Sequence, residues 1–406
     1  MKSNLQSILA AVACWAALPG AAKADAVTDW NAKTSEFIAE ARMGTPPAVR
    51  LMALTQTAAH ESLRSPAAAA HPDAAIAAAH RSVLLRLLPA QSAAIEQAYQ
   101  TALQRTPEGP KRGEAVAAGI AAAEALLAVR LQDGGSAPDA YRPLTTAGTY
   151  VPTASPAVPH WPQRKPWLMT HAAQFRPGPP PDLASETWAR DFEETKRLGA
   201  RTSQARTAEQ GAVAKFWEFS LPSIYFGVVR SVADQPGRSL TDNARLYAMV
   251  AQAMDDALIA VFDAKYQYQF WRPVTAIRNA DQDRHPSTER DAAWASLIEA
   301  PMHPEYPSGH SILASTVARV LDAEMAGRAM PLLSTVSPTA GGARRTWIGT
   351  APFTREVSDA RIHAGIHFRF STDTAERMGV DIAGLAIARF LSPARVAGLA
   401  GRAAKP

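Results

Sequence analysis

The chain has 406 residues, of which 47% are hydrophobic and 19% are charged. This balance excludes a largely disordered protein, and the length allows one large domain or two of ordinary size. The formal net charge of +5 comes from scattered lysines and arginines, which argues against a nucleic-acid-binding protein, because such proteins concentrate basic residues in one patch.

Residues 1–24 have the pattern of a secretory signal peptide. Lys2 precedes an apolar stretch from Ile8 to Ala22, and Ala24 ends a small-x-small cleavage site. The apolar stretch is shorter than the ~20 residues that cross a bilayer, and no later segment is long and apolar enough to do so. We therefore expect an exported protein, periplasmic or secreted, without a membrane segment after cleavage. Cys14 is the only cysteine, so the mature chain would have no disulfide.

Residues 25–134 are rich in Ala, Leu, Glu, Gln and Arg, which favour helices. Apolar residues recur at three- and four-residue spacing near 48–63, 74–88 and 114–131, as in helices packed on one face. This region is predicted to form an N-terminal bundle of four or five helices. A Pro- and Gly-rich connection, residues 135–183, follows and cannot be regular helix.

The C-terminal region, residues 184–406, is predicted to be helical and catalytic. Thr207 and Gln210 have the spacing of a capping box, which predicts a helix start. Another helix is expected from Thr241 or Asp242 to Trp271, where Arg272 precedes a proline. Strand-like alternation is scarce, so the predicted fold class is all-α.

Three short stretches carry residues that packing alone does not explain. In the first, Lys265 and Arg272 are seven residues apart on the predicted helix. Seven residues are nearly two helical turns, so both cations are expected on one face, where they could hold one anion. Taken alone, the pair is also typical of a solvated helix surface.

The second stretch, residues 303–310, reads HPEYPSGH. Pro-Ser-Gly-His predicts a turn into a helix, whose first amides and positive dipole end favour an anion. Ser308 adds a hydroxyl, Gly309 lets a ligand approach the backbone, and His310 can exchange protons near neutral pH. The alternative is a capped helix with a surface histidine.

The third stretch adds another cation, Arg361, and a second histidine, His367. Several fixed donors and a proton shuttle on separate segments suit an oxyanion, whose charge is delocalised. His363 is interpreted as a core or surface histidine beside the motif. The other histidines have no metal-ligand spacing such as HExxH.

Lys-x6-Arg-Pro, Pro-Ser-Gly-His and Arg-x5-His, in this order, resemble the signature shared by vanadium-dependent haloperoxidases and soluble acid phosphatases of the PAP2-type superfamily. Residues 141–143, 175–188 and 215–217 also look like bacterial haloperoxidase-type sequences, so the resemblance covers most of the chain. It implies two four-helix bundles with the site at one end of the C-terminal bundle. Similar proteins often assemble, so a homo-oligomer is a further expectation.

The resemblance implies vanadate as the cofactor and His367 as its single protein ligand. His310 would be the acid–base group, and the oxygens of vanadate would be held by Lys265, Arg272, Arg361, Ser308 and the amide of Gly309. His303 stands where bromoperoxidase-like members have a histidine and chloroperoxidase-like members an aromatic residue, which favours bromide or iodide.

The predicted function is therefore a vanadate-dependent haloperoxidase that uses hydrogen peroxide and a halide or a small organic substrate. Phosphate has the shape of vanadate, so an acid phosphatase is the alternative, with His367 as nucleophile and His310 as leaving-group acid. A non-catalytic oxyanion-binding protein of the cell envelope is the second alternative.

Two positions depart from the signature. Ala360 stands where a serine is frequent, and Ser371 stands where an aspartate often follows the histidine by four residues. A carboxylate bonded to a ligand histidine raises its basicity and fixes its orientation. His367 is thus expected to be a weaker vanadate ligand, unless Asp373 or a remote carboxylate replaces the missing aspartate.

Overall fold

The structure is a computed structural model that describes residues 25–392. The predicted signal peptide, residues 1–24, lies outside the described residues. Within them the chain is mostly helical, which confirms the all-α fold class. The thirteen described helices are α1 (Ala26–Glu40), α2 (Thr45–Ser62), α3 (Pro72–Leu87), α4 (Ser92–Leu103), α5 (Pro110–Arg130), α6 (Glu186–Gly199), α7 (Ala208–Phe216), α8 (Ser223–Ala233), α9 (Leu240–Tyr268), α10 (Pro273–Arg278), α11 (Gly309–Glu324), α12 (Thr350–His363) and α13 (Arg369–Phe390).

The first five helices pack together, with α3 against α2, α4 and α5. Small residues let two of these helices approach closely. A Cβ on Gly119 of α5 would lie 2.2 Å from the carbonyl oxygen of Ala75 in α3, so only glycine fits there. At Thr207 the capping box forms as the sequence predicts, and α7 begins at the next residue.

Helix α9 is the centre of the fold. It packs against α2 on one side and against α11 and α13 on the other, and every residue from Leu246 to Lys265 is buried. A helix with apolar residues on all sides has no solvent face and must be enclosed by other helices. One continuous hydrophobic core therefore includes residues of the N-terminal and the C-terminal helices.

The Pro- and Gly-rich connection has no α-helix between residues 135 and 183 and lies along α9. Arg164 is buried and bonds Asp255 of α9 and Asp133 at the same time. Asp256 accepts the backbone amides of residues 167, 168 and 169 at 2.7–2.9 Å. These buried bonds fix the connection on the central helix.

The sequence did not predict the antiparallel hairpin formed by β1 (Leu332–Ser337) and β2 (Ala343–Ile348). Strand β1 packs against α8. No helix within residues 25–392 is both long and apolar enough to cross a membrane.

One prediction about α9 is wrong. The helix ends at Tyr268, because Gln269 adopts a left-handed conformation with φ of 47°. The amide of Trp271 then bonds the carbonyl of Gly148 in the connection. Arg272 is the N-cap of α10 in extended conformation and does not share a helix face with Lys265.

Candidate active site

The residues of the three motifs meet where the ends of five helices converge. Lys265 lies in the last turn of α9, Arg272 precedes α10, Ser308 caps α11, Arg361 lies in the last turn of α12, and His367 is two residues before α13. The N-termini of α11 and α13 add partial positive charge to the cations.

Lys265 is fully buried at the floor of the site. Its ammonium donates to the backbone carbonyls of Pro304, Glu305 and Pro307. An ammonium has three N–H groups, so all its donors are used by the loop that leads to Ser308. Lys265 thus holds the shape of this loop and contributes its charge.

Arg272 connects the second motif with the third. Its guanidinium donates to the carbonyl of His303 at 2.9 Å and to that of Ile366 at 2.8 Å. It also lies 3.2 Å from Nε2 of His367 and 2.9 Å from Nδ1 of His303. A guanidinium has no acceptor, so both imidazole nitrogens accept. Although Nδ1 of His303 also lies 3.1 Å from the carbonyl of Pro304, it cannot donate there while it accepts from Arg272.

The second motif forms the predicted helix start. Ser308 is buried, and its hydroxyl accepts from the amide and hydroxyl of Ser311 in α11. A Cβ on Gly309 would have no atom within 4 Å, so open space lies beside this first amide of the helix. His310 hydrogen-bonds the backbone of Phe219, while its Nε2 is enclosed without a partner.

Arg361 is 2% exposed, and within residues 25–392 its guanidinium donates to the carbonyl of Trp217 alone. Its Nε is buried without a partner. The loop after α7 therefore aims this guanidinium, which gives the Lys-Phe-Trp stretch at 215–217 a structural role. Buried donors without partners are rare in native proteins, so the unpaired N–H of Arg361 is suited to a bound anion.

The missing carboxylate of the third motif is supplied by Glu305. Its Oε1 lies 2.7 Å from Nδ1 of His367 and accepts the amide of Phe368 at 3.0 Å. The hydroxyl of Ser371 is 3.4 Å from the same Nδ1. Asp373 is exposed and lines an open surface pocket of about 670 Å³, so it does not replace the aspartate. Glu305 lies within the second motif, but its place in the sequence does not indicate this contact with His367.

Burial and neighbouring charges set the protonation of the site. Burial, with the nearby cations, lowers the pKa of His303, His310 and His367 well below 6.5. Burial also lowers the pKa of Arg272 and of Arg361 to about 10 and raises that of Glu305 to about 7. At neutral pH the histidines are therefore neutral.

Three buried cations, Lys265, Arg272 and Arg361, face one buried carboxylate, Glu305, and the half-buried Glu218 also acts on Arg361. Buried charge without compensation is costly, so an anion is the expected ligand. A tetrahedral oxyanion fits the donor set, because it can accept from several N–H groups and from the start of α11 while His367 offers an unprotonated Nε2.

Aromatic residues beside the motifs belong to the core. Trp271, Tyr306 and Phe368 are at most 3% exposed and pack in an aromatic cluster with Trp188 and Phe370. These rings therefore pack beneath the motif residues and do not line an open pocket. His363 lies in α12 and is surrounded by charged residues outside the motif set.

Known proteins share this architecture. A family model described as the VCPO second helical-bundle domain matches residues 245–395. The vanadium chloroperoxidase of Curvularia inaequalis is 24% identical over 192 residues, which are 39% of this chain and 31% of that relative. The match thus spans less than a third of the curated relative.

Two solved structures cover nearly the whole chain. A bacterial vanadium-dependent iodoperoxidase superposes with a TM-score of 0.76 at 20% identity, over 90% of this chain and 96% of that one. An apo-type bacterial vanadium-dependent chloroperoxidase gives a TM-score of 0.66 at 20% identity, over 84% and 93%. These likenesses show the fold. Together with the family match over residues 245–395 they support the resemblance to the vanadium haloperoxidase superfamily found in the motifs.

Proposed function

We propose that this protein is a vanadate-dependent haloperoxidase that oxidises bromide or iodide with hydrogen peroxide. The observation that carries the proposal is the excess of buried positive charge around His367, on a fold shared with bacterial haloperoxidases. The match of residues 245–395 to the second helical-bundle domain of that family supports enzymatic activity of the peroxidase kind. The reaction, the halide and any small organic substrate are our proposal.

Each motif residue has a role that its geometry supports. His367 would ligate vanadium through Nε2, which Arg272 keeps free of a proton. Arg272, Arg361 and the charge of Lys265 would bind the oxygens, with the Ser308 hydroxyl and the Gly309 amide at the start of α11. Bound vanadate supplies the Lewis acid that activates hydrogen peroxide towards halide.

His310 is the proposed proton carrier. Its bond to the Phe219 backbone uses one imidazole nitrogen, and the other, Nε2, is enclosed without a partner. Because burial lowers the pKa of His310, the imidazole is neutral at pH 7, and its unpaired Nε2 would be free to hold a proton released by hydrogen peroxide and to give it back later.

The halide preference rests on His303. It is half-buried, bonded to Arg272 through Nδ1, and its ring meets that of Phe262 edge-on at 5.1 Å. A polar imidazole at this position supports bromide or iodide over chloride, in line with the sequence expectation.

Acid phosphatase activity is the second candidate, and one observation favours it. The unprotonated Nε2 of His367 would also serve as a nucleophile towards a phosphomonoester, with Nδ1 bonded to Glu305 and His310 as leaving-group acid. The phosphate group of the substrate would then occupy the oxyanion site in place of vanadate.

The deciding experiment uses protein freed of vanadate and phosphate by dialysis against chelator. Peroxide-dependent oxidation of bromide and iodide, and hydrolysis of p-nitrophenyl phosphate, are measured with and without added orthovanadate. We expect halide oxidation only after vanadate is added. Hydrolysis that vanadate inhibits, without halide oxidation, would instead identify a phosphatase.

Two histidine variants make the assignment specific. His367→Ala should abolish the vanadate-dependent activity with unchanged helical content. The matched control is His363→Ala, because His363 is also buried but its side chain makes no hydrogen bond to a motif residue in the described part of the chain. Full activity of His367→Ala would contradict the ligand assignment. Export and a homo-oligomer remain predictions beside this function.

A further inference from the structure

We propose that Glu305 is the positioning carboxylate of His367. In the signature that this chain resembles, an aspartate at the position of Ser371 in α13 often has this place; here the carboxylate comes from the HPEYPSGH loop. The inference deepens the proposed oxyanion site and rests on His367 as its ligand or nucleophile. It assigns a role to a residue that all three motifs leave unassigned.

The hydrogen bonds around His367 define one tautomer. Nε2 lies 3.2 Å from a guanidinium nitrogen of Arg272, which can only donate, so Nε2 has no proton. A neutral imidazole then carries its proton on Nδ1. This nitrogen faces Oε1 of Glu305 at 2.7 Å, a distance typical of a strong bond to a carboxylate. Glu305 therefore holds the proton on Nδ1 and leaves Nε2 ready for the oxyanion.

The backbone and one carboxylate oxygen of Glu305 are held by neighbouring segments, while Oε2 is buried without a hydrogen-bond partner among the described residues. The Glu305 amide donates to Phe270 at 2.9 Å, its carbonyl accepts from Lys265 at 2.8 Å, and its Oε1 also accepts the Phe368 amide at 3.0 Å. Its side chain is fully buried. Because three segments converge on one residue, the orientation of the His367 ring is fixed before a ligand arrives, and the negative charge raises the basicity of Nε2.

Glu305 also explains why residue 371 can be a serine. Ser371 lies in the first turn of α13 with its hydroxyl 3.4 Å from Nδ1 of His367, close enough for an aspartate there to reach the same nitrogen. A second carboxylate beside Glu305 would place two like charges in a dry space, where both cannot remain ionised at low cost. One carboxylate at either position is sufficient, so the two positions should be interchangeable.

The test compares the full-length wild type with Glu305→Gln and with the double variant Glu305→Gln/Ser371→Asp. Glu324→Gln is the matched control, because Glu324 is equally buried and ion-paired but lies at the opposite end of α11. Orthovanadate and inorganic phosphate affinities are measured by titration calorimetry. Nitrogen NMR of ¹⁵N-histidine-labelled protein reads the tautomer of His367, and circular dichroism checks the fold.

We expect the proton of His367 on Nδ1 in the wild type, and vanadate binding weakened about 10- to 100-fold in Glu305→Gln. Vanadate binding should return to within several-fold of wild type in the double variant and remain unchanged in Glu324→Gln. A wild-type proton on Nε2 would overturn the inference, whether or not the variants fold. So would a folded Glu305→Gln protein with wild-type vanadate affinity.

The failure of this inference differs from that of the proposed function. Tight vanadate binding without halide oxidation by the wild type would reject the haloperoxidase but leave the role of Glu305 intact. If phosphate binds and vanadate does not, the role of Glu305 is tested by the phosphate affinities of the variants and by the tautomer of His367. The tautomer is read without any ligand, so it does not depend on activity.

Discussion

Replacing Arg272 by lysine keeps one positive charge but should cost both stability and oxyanion binding. The guanidinium contacts four acceptors from two segments: the carbonyls of His303 and Ile366, and one nitrogen each of His303 and His367. An ammonium has three donors on one atom, so at least one of the four bonds is lost.

A hydrogen bond to a charged group contributes ~1.5–3 kcal/mol. The free energy of unfolding of Arg272→Lys should therefore fall by about 2 kcal/mol, and vanadate should bind about 10- to 100-fold more weakly, at ~1.4 kcal/mol for each factor of ten. The two effects come from the same lost bonds, because Arg272 both joins the loops and keeps Nε2 of His367 unprotonated.

Arg164→Lys is the matched control. Arg164 is also at most 2% exposed and bonds two aspartates with its guanidinium, but it lies in the connection along α9. Chemical unfolding and vanadate calorimetry on both variants separate the effects: both should be destabilised, and only Arg272→Lys should bind vanadate weakly. Wild-type vanadate affinity in Arg272→Lys, or equal weakening in both variants, would refute this account of the site.

Three further predictions concern single residues. Arg361→Ala should weaken vanadate and phosphate binding at least tenfold, since hydrogen bonds of a charged donor are lost. Unchanged affinity in calorimetry would show that Arg361 does not bind the oxyanion. His303→Phe should shift relative turnover from bromide and iodide towards chloride, and unchanged halide ratios would leave His303 a structural residue. Burial lowers the pKa of His80 from 6.5 to about 4, so between these values the unfolded chain binds a proton that the native protein does not. The free energy of unfolding should fall on the order of 3 kcal/mol as the pH drops through this range. Unfolding curves of His80→Gln should lack this pH dependence. Those of His171→Gln, a control at an exposed residue, should keep it.

The helices and the motif residues were predictable because they follow from local properties. Helix periodicity and composition predict α1–α5 between residues 26 and 130, and the capping box at Thr207 forms as predicted. The break after Tyr268 was not predictable in the same way. It depends on a left-handed Gln269 and on Gly148, more than a hundred residues earlier, which bonds Trp271.

Glu305 shows a second limit of sequence reasoning. Glu305 lies in the second motif and Ser371 follows the third, and nothing in the sequence relates these two positions. A Pro-rich loop lacks the regular periodicity of a helix or strand, so its sequence does not indicate the direction of a side chain. Its role follows from the tertiary bonds of the loop to Lys265 and to Phe270, which turn the side chain towards His367.

Buried arginines in this protein have opposite electrostatic roles, depending on what accepts their hydrogen bonds. Arg164 is neutralised by two buried aspartates and therefore joins segments without attracting a ligand. At the site, Lys265, Arg272 and Arg361 donate to backbone carbonyls and to neutral imidazoles. Carbonyl groups satisfy N–H donors but carry no net charge, so the cations are fixed in place while their charge remains available. With a single carboxylate, Glu305, directed at His367, the site keeps the positive potential that a vanadate or phosphate ion would neutralise.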